Sequence, residues 1–186
     1  MDKLTKLKNR IKDSAFNRSC YSVTVDLLSF HRNLQWYSES YTSEFSKSEI
    51  LKHIVPTFQR NNNKWSQDRK ICFMENLLSG YPVEIYLYTL NYDMKDDCKI
   101  IDGLQRCTAI DDWFNNKYPV FGDIYFKDLQ GMGRKPFMHS RLSLCIYGFD
   151  SEKEAVKFYI DINKGITHSE EDIGKAYDYL KTLRGS

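Results

Sequence analysis

The sequence predicts an α+β domain, a small mixed sheet flanked by helices. Apolar segments of strand character and of helical periodicity are interleaved along the chain. Its 186 residues, 41% hydrophobic and 28% charged, have the length and composition of a globular protein with a sizeable core. No linker, low-complexity tract or internal repeat divides them. We therefore expect a single domain over residues 1–186.

The predicted helices share an apolar stripe at helical spacing, and most begin at a capping residue. Capping boxes open those near positions 46, 151 and 169, and Pro or Gly ends two of the helices. The first runs from Leu4 to about Ile11, the second is capped at Ser46 and ended by Pro56, and the third is capped by Ser66 and ended by Gly80. The fourth runs from Thr108 to Phe114, and the last two begin at Ser151 and Ser169.

The predicted strands are short runs of β-branched and aromatic residues. Alternation of polar and apolar residues is clearest in Val83–Tyr88. The five segments are Tyr21–Val25, Val83–Tyr88, Lys99–Ile101, Val120–Phe126 and Leu142–Tyr147. Polar stretches at 61–64, 91–97 and 130–136 read as exposed loops.

Composition disfavours several classes of protein. The five cysteines are odd in number and include no Cys-x-x-Cys pair, which argues against a disulfide framework or a structural zinc site. No run of 18 apolar residues predicts a membrane span, and the N-terminus lacks a signal-peptide core, so a cytoplasmic protein is expected. The net charge of +2 gives no global electrostatic case for nucleic acid, although local basic patches leave DNA binding open.

The most informative segment is 99–110, which reads as a short strand, a tight turn and a helix. The turn carries Asp102 and Gly103, and Gln105 and Arg106 follow at once. A helix start presents free N–H groups that favour anions, and a guanidinium suits phosphate oxygens. Asp-Gly is also an ordinary turn dipeptide. The segment alone therefore leaves a phosphate-handling turn and a structural turn both open.

A second Gln-Arg pair, Gln59-Arg60, follows Pro56-x-Phe58 and precedes Trp65. Together with Asp102-Gly103-x-Gln105-Arg106 and Asn163-Lys164-Gly165, this spacing resembles the N-terminal domain of GmrSD-type restriction endonucleases, within the ParB/sulfiredoxin-like superfamily. The resemblance covers roughly residues 20–180. Leu104 stands where the family's usual form has a Gln. The fold that the resemblance implies is a ParB/sulfiredoxin-like single domain.

The resemblance also implies a nucleotide site built from the two Gln-Arg boxes. Asp102 would hold Mg²⁺ or position the attacking nucleophile, and Arg106 would stabilise charge on the phosphate during transfer. Asp102, Gln105 and Arg106 form the expected catalytic set. The expected nucleotide-binding residues are Gln59, Arg60, Trp65, Gly103, Arg106 and Thr108. The expected cofactors are a nucleoside triphosphate (ATP, GTP or CTP) and Mg²⁺.

Three functional hypotheses follow. The first is a nucleotide-dependent phosphoryl-transfer or hydrolysing enzyme in DNA restriction, defence or modification, which the Asn, Lys and Tyr content further suggests is phage- or mobile-element-encoded. The second is a DNA-binding or modified-base-sensing module without turnover. The third is an ATP-dependent kinase of a DNA base or small molecule. Each of the three hypotheses is compatible with an oligomer or with a separate nuclease partner. Turnover on nucleotide alone distinguishes the first hypothesis from the other two.

Overall fold

The computed structural model describes residues 2–6, 20–32, 51, 54–59, 64–90, 98–129, 131–133, 135–164 and 170–183. These residues form a mixed α+β fold, which confirms the predicted class. Of the helix predicted from Leu4 to Ile11, only residues 4–6 are described, and they are helical. Most of the helix predicted from Ser46 lies outside the described residues. Within the described part of the chain, no helix is long and apolar enough to cross a membrane.

A four-stranded sheet forms the centre of the described fold. Its strands are β1 (Cys20–Asp26), β2 (Val83–Leu90), β3 (Lys99–Asp102) and β4 (Arg141–Phe149), in the order β1-β4-β2-β3. β2 and β4 are parallel, whereas β1–β4 and β2–β3 are antiparallel. The sheet is therefore mixed, and four of the five predicted strands are confirmed.

In the described part of the chain, four helices of more than ten residues accompany this sheet, and residues 27–32 are also helical. The four helices are α1 (Gln67–Leu78), α2 (Leu104–Phe114), α3 (Glu152–Lys164) and α4 (Glu170–Thr182), with 3₁₀ turns at Phe126–Leu129 and Lys135–Phe137. The Ser66 hydroxyl accepts a hydrogen bond from the backbone N–H of Arg69, so the predicted cap of α1 is confirmed. Gly80, with φ of +89°, follows the end of that helix, as the sequence predicts.

Each face of the sheet covers a separate apolar core. Val83, Ile85 and Leu142 lie on one face and pack with α1 and α2 around the fully buried Trp113. Tyr88 and Phe149 lie on the other face and pack against α3 and α4. This division follows from the alternation of side chains along β2, because successive residues of a strand point to opposite faces.

The prediction of a strand at Val120–Phe126 is wrong. Val120 and Ile124 form an isolated antiparallel bridge around a tight turn, and a 3₁₀ turn follows. Phe121 and Gly122 both have positive φ, +49° and +95°, which reverses the chain within two residues. The turn thus interrupts an apolar run whose composition alone resembles that of a strand.

Candidate functional site

The junction between β3 and α2 is a single residue, Gly103. Its φ of +106° lies in the left-handed region, and a Cβ at this position would stand 3.3 Å from side-chain carbons of Ile85. Both the backbone conformation and the close approach to β2 therefore require glycine. Because the helix begins at the next residue and no side chain caps it, the first N–H groups of α2 remain available to an anion.

Arg106 is the one residue of α2 that is not buried. Its side chain turns back along the sheet, where Nη1 donates a 2.7 Å hydrogen bond to the carbonyl oxygen of Glu84 on β2. The same nitrogen lies 3.4 Å from Oδ2 of Asp102. The guanidinium is thus held at a fixed place by the strand next to the turn, with about a third of its side chain exposed.

Gln105, the residue before Arg106, is buried, with only 5% of its surface exposed. Its Oε1 accepts a hydrogen bond of 3.3 Å from the backbone N–H of Trp65, which fixes the orientation of the amide. Its Nε2 is buried and has no hydrogen-bond partner within the described part of the chain. Buried amide donors are normally hydrogen-bonded, because leaving one without a partner costs about 1–3 kcal/mol.

The first Gln-Arg box meets the second through Gln59. Its side-chain Nε2 donates to the carbonyl oxygen of Ile101 at 2.9 Å and also lies 3.4 Å from that of Ile100. Lys175 of α4 donates to the backbone carbonyl of Gln59 at 3.1 Å. Gln59 is therefore anchored at the end of β3, one residue before Asp102. Arg60, the expected partner of Arg106, lies outside the described residues.

Thr108 and Cys107 lie on the buried side of α2. The Thr108 hydroxyl donates to the carbonyl oxygen of Leu104 at 2.9 Å, within the first turn of the helix. Cys107 is buried, and burial raises the pKa of its thiol to about 12. The thiol is thus protonated at neutral pH and has no nucleophilic character.

The ring of Trp65 packs on α1. The guanidinium carbon of Arg69 lies 4.9 Å from the ring centroid, and Phe73 meets the ring edge-on at 5.3 Å between centroids. Trp65 contacts Gln105 through its backbone N–H rather than through its indole ring.

Sequence reasoning missed Glu84 and Tyr86 as neighbours of the turn. Tyr86 pairs with Asp102 across β2 and β3, and its hydroxyl donates a 2.8 Å hydrogen bond to Oε2 of Glu84. This hydrogen bond is the main cause that raises the pKa of Tyr86 to about 12. The alternation of β2 showed that both residues share a face, but only the strand pairing brings that face to Asp102 and Arg106.

Comparison with known proteins identifies the family. Residues 41–183, well over half of the chain, match the model of the GmrSD restriction endonuclease N-terminal domain. The chain belongs to this family. The matched segment contains both Gln-Arg boxes and strands β2, β3 and β4, whereas β1 precedes it. No curated protein and no solved structure matches the chain significantly.

Membership associates this GmrSD N-terminal domain with restriction endonucleases, and hence with DNA defence. Asp102 is the carboxylate that stands at the turn, at the end of β3. Among the described residues no three His, Cys, Asp or Glu side chains stand together as a metal site of their own. Mg²⁺ often takes one or two carboxylates and completes its shell with water and phosphate oxygens. Asp102 is partly exposed, and Arg106 Nη1 lies 3.4 Å from its Oδ2.

Proposed function

We propose that this GmrSD N-terminal domain binds a nucleoside triphosphate at the β3–α2 turn and catalyses phosphoryl transfer, to water in the simplest case, as part of DNA restriction. The observation that carries the proposal is the Nε2 of Gln105, a buried donor at the start of a helix that has no partner among the described residues. An anionic or carbonyl-bearing ligand at this position would satisfy it. Family membership supports the setting in DNA restriction.

Phosphate is the ligand group that these donors fit best. The start of α2 offers backbone N–H groups and the positive end of the helix dipole, with Gly103 allowing close approach. Arg106 adds a guanidinium whose Nη1 is already engaged by Glu84, which leaves its other N–H groups to a ligand. In this proposal the backbone, amide and guanidinium donors bind the same anion.

The same donors would stabilise a transition state more than the bound substrate. Negative charge on the transferring group spreads over its oxygens, and donors held in place beforehand stabilise that charge without reorganising. Arg106 is held by β2, and Gln105 is held by the N–H of Trp65. Asp102 lies on the exposed side of the turn, where its carboxylate would hold Mg²⁺ or orient the attacking nucleophile. The metal, when bound, neutralises phosphate charge.

The first Gln-Arg box would contribute from the other side of the turn. Gln59, the residue before Arg60 in the chain, is fixed to Ile101. A second guanidinium within reach of the turn would explain why both boxes are present. Lys175 reinforces this arrangement by holding the main chain of Gln59 from α4.

A nucleotide panel with matched variants tests the proposal. Calorimetry with ATP, GTP and CTP, with and without Mg²⁺ and DNA, should detect binding of at least one nucleotide to the wild-type protein. Arg106→Ala should weaken it about tenfold or more, because a charge-assisted hydrogen bond contributes about 1.5–3 kcal/mol. Arg32→Ala, which removes an exposed guanidinium on the segment 27–32, is the control and should have no effect.

Gln105→Glu supplies an independent test at the unpartnered donor. The change keeps the size of the side chain but places an acceptor where the proposal requires a donor, so nucleotide affinity should fall steeply. Gln67→Glu, at an exposed position at the start of α1, is the matched control. Unchanged affinity in folded Arg106→Ala and Gln105→Glu proteins would refute the proposal. DNA retention without any nucleotide binding would instead favour the DNA-binding module, and phosphate on an acceptor would favour the kinase.

A further inference from the structure

A polar shelf extends across the sheet from the turn. It consists of Glu84 and Tyr86 of β2, Ser143 and Cys145 of β4, and Ser22 and Thr24 of β1, which share one face because they are paired in register. Glu84, Ser22 and Thr24 are exposed, and the other three are half-buried. Among the described residues, α3 and α4 pack on this face around Tyr88 and Phe149, and Tyr86 and Tyr147 lie at the edge of that core. Within the described part of the chain, Glu84 is thus exposed and Tyr86 half-buried beside the turn.

Tyr86 joins the shelf to the proposed phosphate site. It lies directly opposite Asp102, and its hydroxyl donates to Glu84, whose backbone carbonyl accepts from Arg106. The hydrogen bond to Glu84 holds the phenol of Tyr86 in a fixed orientation beside the turn. Its ring is therefore suited to contact the uncharged part of a nucleotide.

The ring of Tyr147 widens this aromatic surface. The centroids of Tyr86 and Tyr147 lie 6.2 Å apart, with an angle of 26° between their planes. Beside them, Ser22 and Cys145 form a hydroxyl–thiol contact of 3.4 Å whose groups can exchange hydrogen bonds with the edge of a base. Two neighbouring rings with polar groups at their rim have the chemistry of a surface for one nucleobase.

We infer that Tyr86, with Tyr147 beside it, is the base-stacking surface of the nucleotide site, and that the nucleoside lies along the polar shelf; this inference rests on the proposed function. The strands adjacent to β3 fit such a ligand, because β2 and β4 lie about 5 and 10 Å from it. Phosphates at Arg106 would thus leave the base over β2 and β4. Trp65, whose ring packs on Arg69 and Phe73 of α1, is the rival stacking residue.

The test compares a ligand with a base and a ligand without one. Binding of the nucleoside triphosphate that the wild-type protein prefers is measured alongside binding of inorganic tripolyphosphate. Tyr86→Leu should weaken the nucleotide at least about tenfold and leave tripolyphosphate unchanged, because base–aromatic stacking contributes only to the former. Tyr86→Phe, which keeps the ring and loses the hydroxyl, should retain most of the affinity. Tyr81→Leu, at an exposed tyrosine outside the shelf, is the control.

The outcomes separate this inference from the function on which it rests. If the wild-type protein binds neither ligand, the proposed function itself fails. If the wild-type protein binds nucleotide but Tyr86→Leu loses nothing, or loses both ligands equally, only the base-stacking role is overturned. A selective loss of nucleotide in Trp65→Leu, with Tyr86→Leu unaffected, would assign the base to Trp65. Circular dichroism of each variant establishes that it is folded.

Discussion

The side-chain amide of Gln59 donates a 2.9 Å hydrogen bond to the carbonyl oxygen of Ile101. This contact fastens the first Gln-Arg box to the strand that leads into the second. Six residues after Gln59, the backbone N–H of Trp65 contacts Gln105 on the far side of the same turn. Gln59 thus contacts the residue two positions before Gly103, and Trp65 contacts the residue two positions after it. These two contacts join the Gln-Arg boxes into one structural unit.

Gln59→Leu should destabilise the protein by about 1–3 kcal/mol. The substitution removes a buried donor and leaves the carbonyl of Ile101 without its side-chain partner. Urea unfolding measures the change, with Gln67→Leu at the exposed start of α1 as the control. Equal stability of the two variants would show that the Gln59 amide does not hold the boxes together.

Gly103→Ala should be more damaging than Gly131→Ala. Both glycines have positive φ, +106° and +96°, so each alanine incurs backbone strain of roughly 1 kcal/mol. Only at Gly103 does the new Cβ also meet Ile85 at 3.3 Å, whereas the position at Gly131 is open. The difference in melting temperature between the variants therefore reports the contact with β2. Equal losses at the two positions would contradict this close approach.

Asp102→Asn should abolish most turnover and leave the fold intact. Asparagine keeps the size of the side chain but removes the charge that Mg²⁺ or a nucleophile would require. The 3.4 Å pair with Arg106 is partly exposed and contributes little to stability, so the melting temperature should hardly change. A stable Asp102→Asn protein with near-normal phosphate release would show that Asp102 only shapes the turn.

His31 should make stability depend on pH. Its ring stacks on Phe114, with centroids 3.7 Å apart and planes 7° from parallel, and burial lowers its pKa from 6.5 to about 4. Between these values the unfolded chain binds a proton that the folded chain does not. The free energy of unfolding should therefore fall as pH drops from about 6.5 to 4, and the contribution of His31 should be constant above and below that window.

The size of the effect follows from the partial exposure of His31. Allowing for solvent screening, we expect a loss of about 1–2 kcal/mol across the window. His31→Phe preserves an aromatic ring against Phe114 and removes the titration. Subtracting the urea-unfolding profile of this variant from that of wild type isolates His31 from the carboxylates. If the difference in unfolding free energy between wild type and His31→Phe does not vary with pH, His31 is not a source of the pH dependence.

Much of the local structure was predictable from sequence because it depends on neighbouring residues. Ser66 stands directly before a helical stripe, and a side-chain cap needs only the next three residues. Val83–Tyr88 alternates because one face of β2 meets α1 and α2. Val120–Phe126 was mispredicted because its composition favours a strand, whereas the positive φ of Phe121 depends on the turn that it makes.

The sequence by itself determined that the chain is a mixed α+β domain of the GmrSD type, with a Gly-containing turn between a strand and a helix. Only the tertiary structure decided which residues surround that turn. The pairing of Tyr86 with Asp102 and the burial of Gln105 under the backbone of Trp65 join segments far apart in the chain. Such contacts depend on sheet order and register, and these arise from the packing of two cores rather than from any local pattern.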